Sequence, residues 1–306
     1  MRCTSFILLL CILNCIALAY TKCTVSKQER GSAARLQCSN VTLAMVSNQN
    51  TTDVLSIMIL NSNIRYIPKG AFVRYARTLQ SLNINNCDVL DIDPAAFEGL
   101  TSLKKLSLSN NKITQVKGEW FKDTVYLEQL DLSFNQVIKF EPAIFGKLLL
   151  LKRLDVKENL LTCLDPSTLP GGIDKVLFSG NPLTFTCRAK LTLWMRDHGV
   201  NYKTEESEKE AWLDKLLWLC AINDASVAES EVLMKECVIL NLFNQLRTGL
   251  SSAESYPLSV SQECVNARNL LTSCIVTQSQ RSSQAFTNGN AIKNLLLYLY
   301  QARTSI

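Results

Sequence analysis

The residues able to do acid–base chemistry in this 306-residue chain include a single histidine, His198. A Ser-His-Asp or Cys-His catalytic arrangement needs an imidazole to take the proton of the nucleophile, so any such site would have to use His198. The residue lies in the segment Trp-Met-Arg-Asp-His-Gly, in which a surface or packing role is the simpler interpretation. We therefore expect the protein not to be an enzyme.

Residues that bind metals or phosphates are also sparse. The sequence has no Cys-x-x-Cys pair, and one histidine cannot supply the usual zinc ligand sets. It has no glycine-rich loop of the P-loop or dinucleotide type. Asp91 and Asp93 form a close acidic pair, but Pro94 follows them directly, which is typical of a turn. We expect neither a metal nor a cofactor.

The cysteines and the first residues of the chain favour an extracellular protein. Twelve cysteines are too many for a typical reduced protein, so most should form disulfides. Residues 1–19 have a basic residue, then an apolar run and then small residues, which is the order of a secretory signal peptide. Asn40 and Asn50 begin N-glycosylation sequons. No later stretch is apolar over the about 20 residues that a membrane helix needs.

Residues 54–184 are organised by a repeat of about 24 residues. The segment from Leu103 shows the pattern Leu-x-x-Leu-x-Leu-x-x-Asn-x-Ile, and the segment from Leu127 repeats the same offsets. About six copies can be aligned, and they begin at Val54, Leu79, Leu103, Leu127, Leu151 and Ile173. Each copy predicts one short parallel strand whose apolar residues point inward and whose alternate residues point outward. The Asn slot of each repeat should turn the chain and bind backbone groups of neighbouring repeats, and we interpret Cys87, in the same slot, as a free buried thiol.

The outward positions of the predicted strands are the best candidates for binding. Most are polar, as a solvated face would be, but two features exceed that expectation. Phe134 is an aromatic residue on this polar face, and acidic and basic side chains cluster in the fourth and fifth repeats. Exposed aromatic and arginine side chains often anchor protein interfaces. The predicted partner-binding residues are Lys105, Gln129, Asp131, Phe134, Arg153, Asp155 and Lys157.

The repeat pattern resembles the extracellular leucine-rich repeat family, similar to Toll-type and Slit-type ectodomains and to secreted insect immune proteins. The resemblance covers roughly residues 23–202 and implies an α/β solenoid whose parallel strands line a concave face. It also implies capped ends: an N-terminal cap over residues 20–53, closed by a Cys23–Cys38 disulfide, and a C-terminal cap that begins at residues 185–202. Phe185 stands where the family usually has a cysteine, so we prefer a Cys163–Cys187 bridge, with Cys187–Cys220 as the alternative.

Residues 203–306 lack the repeat pattern and predict a disulfide-tied α-helical domain. Capping boxes precede amphipathic stretches, one of them Ser226-x-x-Glu229. If one helix spans Cys264 to Cys274, the two sulfurs are about 15 Å apart along its axis, beyond the reach of a disulfide. These two cysteines should therefore pair with Cys220 and Cys237 in some order.

These observations favour a secreted binding protein over an enzyme. The resemblance implies recognition or scaffolding in innate immunity, through a protein or glycan-bearing macromolecule bound to the concave face. An inhibitor of a secreted enzyme and a soluble ligand-trapping or developmental adhesion factor are the alternatives. The net charge of +5 is modest and lies in no basic block, so nucleic acid is not an expected partner.

Overall fold

The computed structural model describes residues 22–27, 34–51, 53–141, 143–203 and 211–241. The chain divides into two compact units, Met1–Lys235 and Glu236–Ile306. The predicted signal peptide, Cys264 and Cys274 lie outside the described residues. None of the helices in the described ranges is long and apolar enough to cross a membrane.

An eight-stranded sheet forms one face of the first unit. Its strands follow one another in chain order: β1 (Lys22–Lys27), β2 (Ala34–Ser39), β3 (Val54–Leu60), β5 (Ser81–Asn85), β7 (Lys105–Ser107), β9 (Gln129–Asp131), β11 (Arg153–Asp155) and β12 (Lys175–Leu177). All pairs are parallel except β1 with β2. The predicted fold class, a leucine-rich repeat solenoid with one strand in each repeat, is confirmed.

The opposite side of each repeat holds shorter elements. Two small parallel pairs join β4 (Tyr66–Ile67) to β6 (Asp91–Ile92) and β8 (Gln115–Val116) to β10 (Lys139–Phe140). The connecting segments also form 3₁₀ helices at Val73–Tyr75, Gly118–Phe121 and Pro166–Thr168 and two short α-helices, α1 (Leu43–Ser47) and α2 (Ile144–Lys147). The apolar slots of the repeats stack between the two sides. Leu106, Leu130 and Leu154, for example, are in register and fully buried.

The Asn slot connects each repeat to the one before it. The Nδ2 group of Asn111 donates to the carbonyl oxygens of Ile84 and Leu108, and its Oδ1 accepts the backbone N–H groups of Cys87 and Val89. Asn135, Asn159 and Asn181 make the corresponding bonds one repeat further on. Cys87 is a free buried thiol, as the sequence predicted, and the structure shows that it donates to the carbonyl oxygen of Ile59.

The N-terminal cap closes the first end of the core. Strand β1 pairs antiparallel with β2, and the register places Cys23 opposite Cys38, which form a disulfide. Ser62, which occupies the Asn slot of the first repeat, accepts the N–H of Val41 and donates to the carbonyl of Leu60. A serine thereby makes both kinds of bond that asparagine makes elsewhere.

Helices cover the other end of the core. They are α3 (Phe185–Asp197), α4 (Ala211–Asn223) and α5 (Ala225–Glu229), followed by helical residues 231–235. A Cys163–Cys187 disulfide ties α3 to the fifth repeat, so the preferred bridge is confirmed and the alternative Cys187–Cys220 is wrong. The predicted cap at Ser226 is also wrong, because Asp224 is the N-cap of α5 and its carboxylate accepts the N–H of Ser226. Asp224 takes this role because it stands before the first helical residue, with the extended backbone a cap needs.

Polar contacts among side chains and backbone groups link these helices. Arg188 of α3 donates to the carboxylate of Asp214 of α4 at 2.6 Å, and both side chains are nearly buried. The carboxylate of Glu231 accepts the N–H groups of Phe185 and Thr186 at the start of α3. Cys220 in this unit is disulfide-bonded. In the second unit, residues 236–241 are helical and Cys237 is disulfide-bonded.

Candidate functional site

Two rows of mostly polar side chains cross the parallel sheet from its third to its sixth repeat. The register aligns Lys105, Gln129, Arg153 and Lys175 in a first row. Ser107, Asp131, Asp155 and Leu177 form a second row beside it. Neighbouring members of each row stand on adjacent strands, about 4.8 Å apart. A row with three cations therefore runs beside a row with two carboxylates.

The carboxylate of Asp131 is fixed by hydrogen bonds. Its Oδ1 accepts the backbone N–H and the hydroxyl of Ser133, at 3.0 and 2.7 Å. The hydroxyl of Ser107 lies 2.9 Å from Asp131 Oδ2 and 2.9 Å from Asn85 Oδ1. These contacts orient the carboxylate before any partner arrives, which reduces the entropy lost on binding.

Asp155 is far less accessible than its position on the strand predicts. The residue is only 6% exposed, its Oδ1 accepts the N–H of Lys157, and its Oδ2 lies 3.6 Å from the guanidinium of Arg153. Burial and the neighbouring charge of Asp131 raise the pKa of Asp155, although Lys157 and Arg153 oppose the shift. The nearly buried Asp155 therefore lies beside Arg153, whose own side chain is exposed.

We expect Asp155→Asn to raise the free energy of unfolding near neutral pH. The raised pKa means that the folded protein binds this proton more tightly than the unfolded chain does, whose aspartates titrate near 3.8. Above the pH at which Asp155 titrates, its negative charge therefore lowers the free energy of unfolding. The amide of asparagine stays uncharged at every pH and avoids this loss. The gain should shrink as the pH falls toward about 3, where wild type is protonated.

Urea unfolding of wild type and of Asp155→Asn, at pH values from about 3 to neutral, measures the effect. Asp53→Asn is the matched control, because Asp53 is an exposed aspartate directly before strand β3. A gain that stays constant with pH would contradict the assignment to the charge of Asp155.

Phe134 stands out in exposure and in backbone conformation. Its side chain is 52% exposed, and its φ angle is +55°. The same offset in the other repeats holds Asn61, Asn86, Asn110, Glu158 and Gly180, all of which also have positive φ. Asparagine tolerates this left-handed conformation, whereas a bulky aromatic residue adopts it only at a cost. The asparagines form an exposed ladder of side-chain hydrogen bonds that ends before Phe134.

A groove of about 470 Å³ lies on the same face. It is lined by Met58, Ser81, Asn83, Asn85, Lys105, Leu106, Ser107, Gln129, Leu130, Asp131 and Arg153. The groove thus combines amides, hydroxyls and charges of both signs. Such a surface can donate and accept hydrogen bonds, and it offers separate partners for acidic and basic groups.

The structure brings together four of the sequence-predicted residues as groove lining: Lys105, Gln129, Asp131 and Arg153. Asp155 adjoins these residues, because it lies beside Arg153 and accepts the N–H of Lys157. Phe134 donates its N–H to the carbonyl of Lys157. Sequence reasoning missed the near burial of Asp155 and the positive φ of Phe134. The asparagines at the equivalent offset carried a signal for the second feature, since asparagine favours positive φ.

The residues weighed for catalysis have other roles in the described structure. His198 is exposed, stacks on Trp194 with ring centroids 4.5 Å apart, and its Nδ1 lies 2.8 Å from the Trp194 carbonyl oxygen. Asp93 accepts the N–H of Ala95 in a turn, and Asp91 pairs with Lys117. Burial raises the pKa of the Cys87 thiol, which disfavours the reactive thiolate. Within the described ranges, no group of three or more His, Cys, Asp or Glu side chains could hold a metal ion.

Comparison with known proteins finds the leucine-rich repeat family, whose sequence profile matches residues 77–137. No curated protein sequence matches the chain. Among solved structures, the TLR13–ssRNA13 complex is similar with a TM-score of 0.47 and 23% identity, over 54% of this chain and 24% of that one. The mouse RP105/MD-1 complex is similar with a TM-score of 0.39 and 27% identity, over 45% of this chain and 24% of that one. The chain thus spans about a quarter of the length of either.

Proposed function

We propose that this chain, which carries leucine-rich repeats, binds another macromolecule through the concave face of its fourth and fifth repeats. The observation that carries the proposal is Phe134, an exposed aromatic residue held at positive φ where the three preceding repeats have asparagine. Strained and exposed residues cluster at functional sites, because selection for stability alone removes them. An exposed aromatic residue in the same repeats as an exposed arginine and a fixed carboxylate has the composition of a protein-binding hot spot.

The mixed charge of the face favours a protein partner. The cations of the first row can bind acidic side chains, and the carboxylate of Asp131 can accept bonds from a basic side chain or an amide. A uniformly anionic polymer would meet Asp131 as a like charge at short range. Nucleic acid is therefore the less favoured ligand for this surface.

We further propose that the protein works outside the cell as a glycoprotein. The disulfides Cys23–Cys38 and Cys163–Cys187 support this location, because such bonds persist in oxidising compartments. Asn40 and Asn50 are both exposed, as glycosylation requires. Recognition or scaffolding in innate immunity is the setting that we propose from the resemblance of the repeats to secreted immune proteins.

We predict that Phe134→Asn weakens partner binding while it stabilises the fold. The change introduces the residue of the three preceding repeats, so the free energy of unfolding should rise by about 1 kcal/mol as the strain is relieved. The dissociation constant for the partner should rise at least about tenfold, as for the loss of a hot-spot aromatic residue. Because the two effects have opposite signs, lost binding cannot be attributed to misfolding.

The partner can be isolated by affinity capture from extracellular fluid, and its affinity is then measured by calorimetry. Arg153→Glu should weaken binding through the first row, and Val73→Asn is the matched control, because Val73 is an exposed apolar residue of the first repeat. A partner that binds Phe134→Asn and Arg153→Glu as tightly as wild type would refute the concave-face site.

A further inference from the structure

A second exposed surface, distinct from the concave face, lies on the segments that lead into strands β9 and β11. Val125 and Tyr126 precede β9, and Leu149 and Leu150 occupy the same offsets 24 residues later. All four side chains are exposed, Leu149 to 69%. Leu127 and Leu151, which follow them, are fully buried, so the two segments enter the core in the same way. We call these four residues the entry patch.

The repeat itself does not require apolar residues at these offsets. The preceding repeat has Thr101 and Ser102 there, and the following repeat has Gly171 and Gly172. The entry patch is therefore confined to two adjacent repeats and is centred between them. Four contiguous exposed apolar side chains cost solubility, and such patches commonly mark an interaction surface.

Charged residues beside the entry patch alternate in sign along the sheet. Lys104, Glu128, Lys152 and Asp174 occupy one offset in four successive repeats. The N–H of each of the last three donates to the carbonyl of the one before, at 2.8 Å in every case. The four residues thus form a regular row along the strand entrances, with a spacing of about 4.8 Å. None of their side chains is buried.

The alternation makes this surface complementary to itself. A two-fold axis between the fourth and fifth repeats would place Glu128 opposite Lys152 of the partner subunit, and Lys104 opposite Asp174 of the partner subunit. The same axis would place Val125 and Tyr126 against Leu149 and Leu150 of the partner subunit. The centre of the charge row and the centre of the entry patch coincide, which an isologous interface requires and an arbitrary patch does not.

We propose that the entry patch is the interface of a two-fold symmetric homodimer of this chain. An apolar centre flanked by charge pairs is the usual composition of a specific protein interface. A lipid surface would not explain the alternating signs, because an anionic membrane attracts the two lysines and repels the two acids equally.

Sedimentation velocity of the full chain, at concentrations up to about 100 μM, tests the proposal. Wild type should form dimers, and Leu149→Glu should raise the dimer dissociation constant about a hundredfold or abolish the dimer. Val73→Glu is the matched control, because Val73 is 63% exposed, close to the 69% of Leu149, but lies in the first repeat. Circular dichroism should show all variants folded. A monomeric wild type, or a dimer that survives Leu149→Glu, would overturn the proposal.

Charge exchange tests the position of the two-fold axis. Glu128→Lys should weaken the dimer at least about tenfold, because it brings like charges together twice. The double variant Glu128→Lys/Lys152→Glu should restore the dimer, because each new lysine meets a new glutamate of the partner subunit. A dimer that responds to Leu149→Glu but to neither charge variant would refute this symmetric arrangement.

Discussion

Replacement of Arg188 by methionine should lower the free energy of unfolding by about 3 kcal/mol. The guanidinium lies 2.6 Å from the carboxylate of Asp214, and the Asp214 side chain is 2% exposed. Without the guanidinium, this carboxylate loses the counter-charge that compensates its removal from water. Methionine keeps most of the apolar stem of arginine, so lost packing contributes little.

The same helix offers a control for this prediction. Lys190 and Glu229 form an ion pair of 2.7 Å, nearly the same length, but both side chains are well exposed. Lys190→Met should therefore change the free energy of unfolding by less than about 0.5 kcal/mol. Equilibrium unfolding in urea measures both changes. Equal effects of the two substitutions would show that burial is not what makes the Arg188–Asp214 pair important.

A double-mutant cycle separates the pair from its surroundings. Asp214→Leu alone should also be strongly destabilising, whereas Arg188→Met/Asp214→Leu should recover most of the loss, since two apolar side chains then face each other. If the double variant is as unstable as the sum of the single ones, the two residues do not act as a pair.

The repeat architecture was predictable because it depends on local offsets. Leu106, Leu130 and Leu154 occupy one slot of a repeat, and a parallel sheet puts such slots in register. The buried thiol of Cys87 followed from the same reasoning, since its slot is the one that asparagine fills elsewhere. The bridge between Cys163 and Cys187 spans 24 residues, one repeat length, and stacked repeats bring equivalent positions close together.

Features that depend on contacts between distant segments were not predictable in this way. Strand alternation places Asp155 on the outward face, but its burial depends on the side chains of neighbouring strands. The contacts of Glu231 with the start of α3 span 45 residues or more, and no periodic pattern relates the two segments. The entry patch likewise appears only once two repeats are aligned and the exposure of each residue is known.

Asn135→Ala should destabilise the solenoid by about 3 kcal/mol, because one side chain satisfies buried backbone groups of two repeats. Its Oδ1 accepts the N–H of Ile113 at 3.0 Å, and its Nδ2 donates to the carbonyl oxygens of Leu108 and Leu132. Alanine leaves these groups without that partner in a site closed to water. Gln136→Ala is the control, because the adjacent Gln136 side chain is exposed, and it should cost less than about 0.5 kcal/mol.

Serine at the same position separates the hydrogen bonds from the volume of the side chain. The first repeat shows that a hydroxyl can serve the slot, since Ser62 both accepts an N–H and donates to a carbonyl. Asn135→Ser should therefore retain part of the stability that Asn135→Ala loses, although serine is only slightly larger than alanine. Urea unfolding of the three proteins gives the comparison. If serine and alanine destabilise equally, the slot requires the shape of asparagine, and the hydrogen bonds across repeats contribute little.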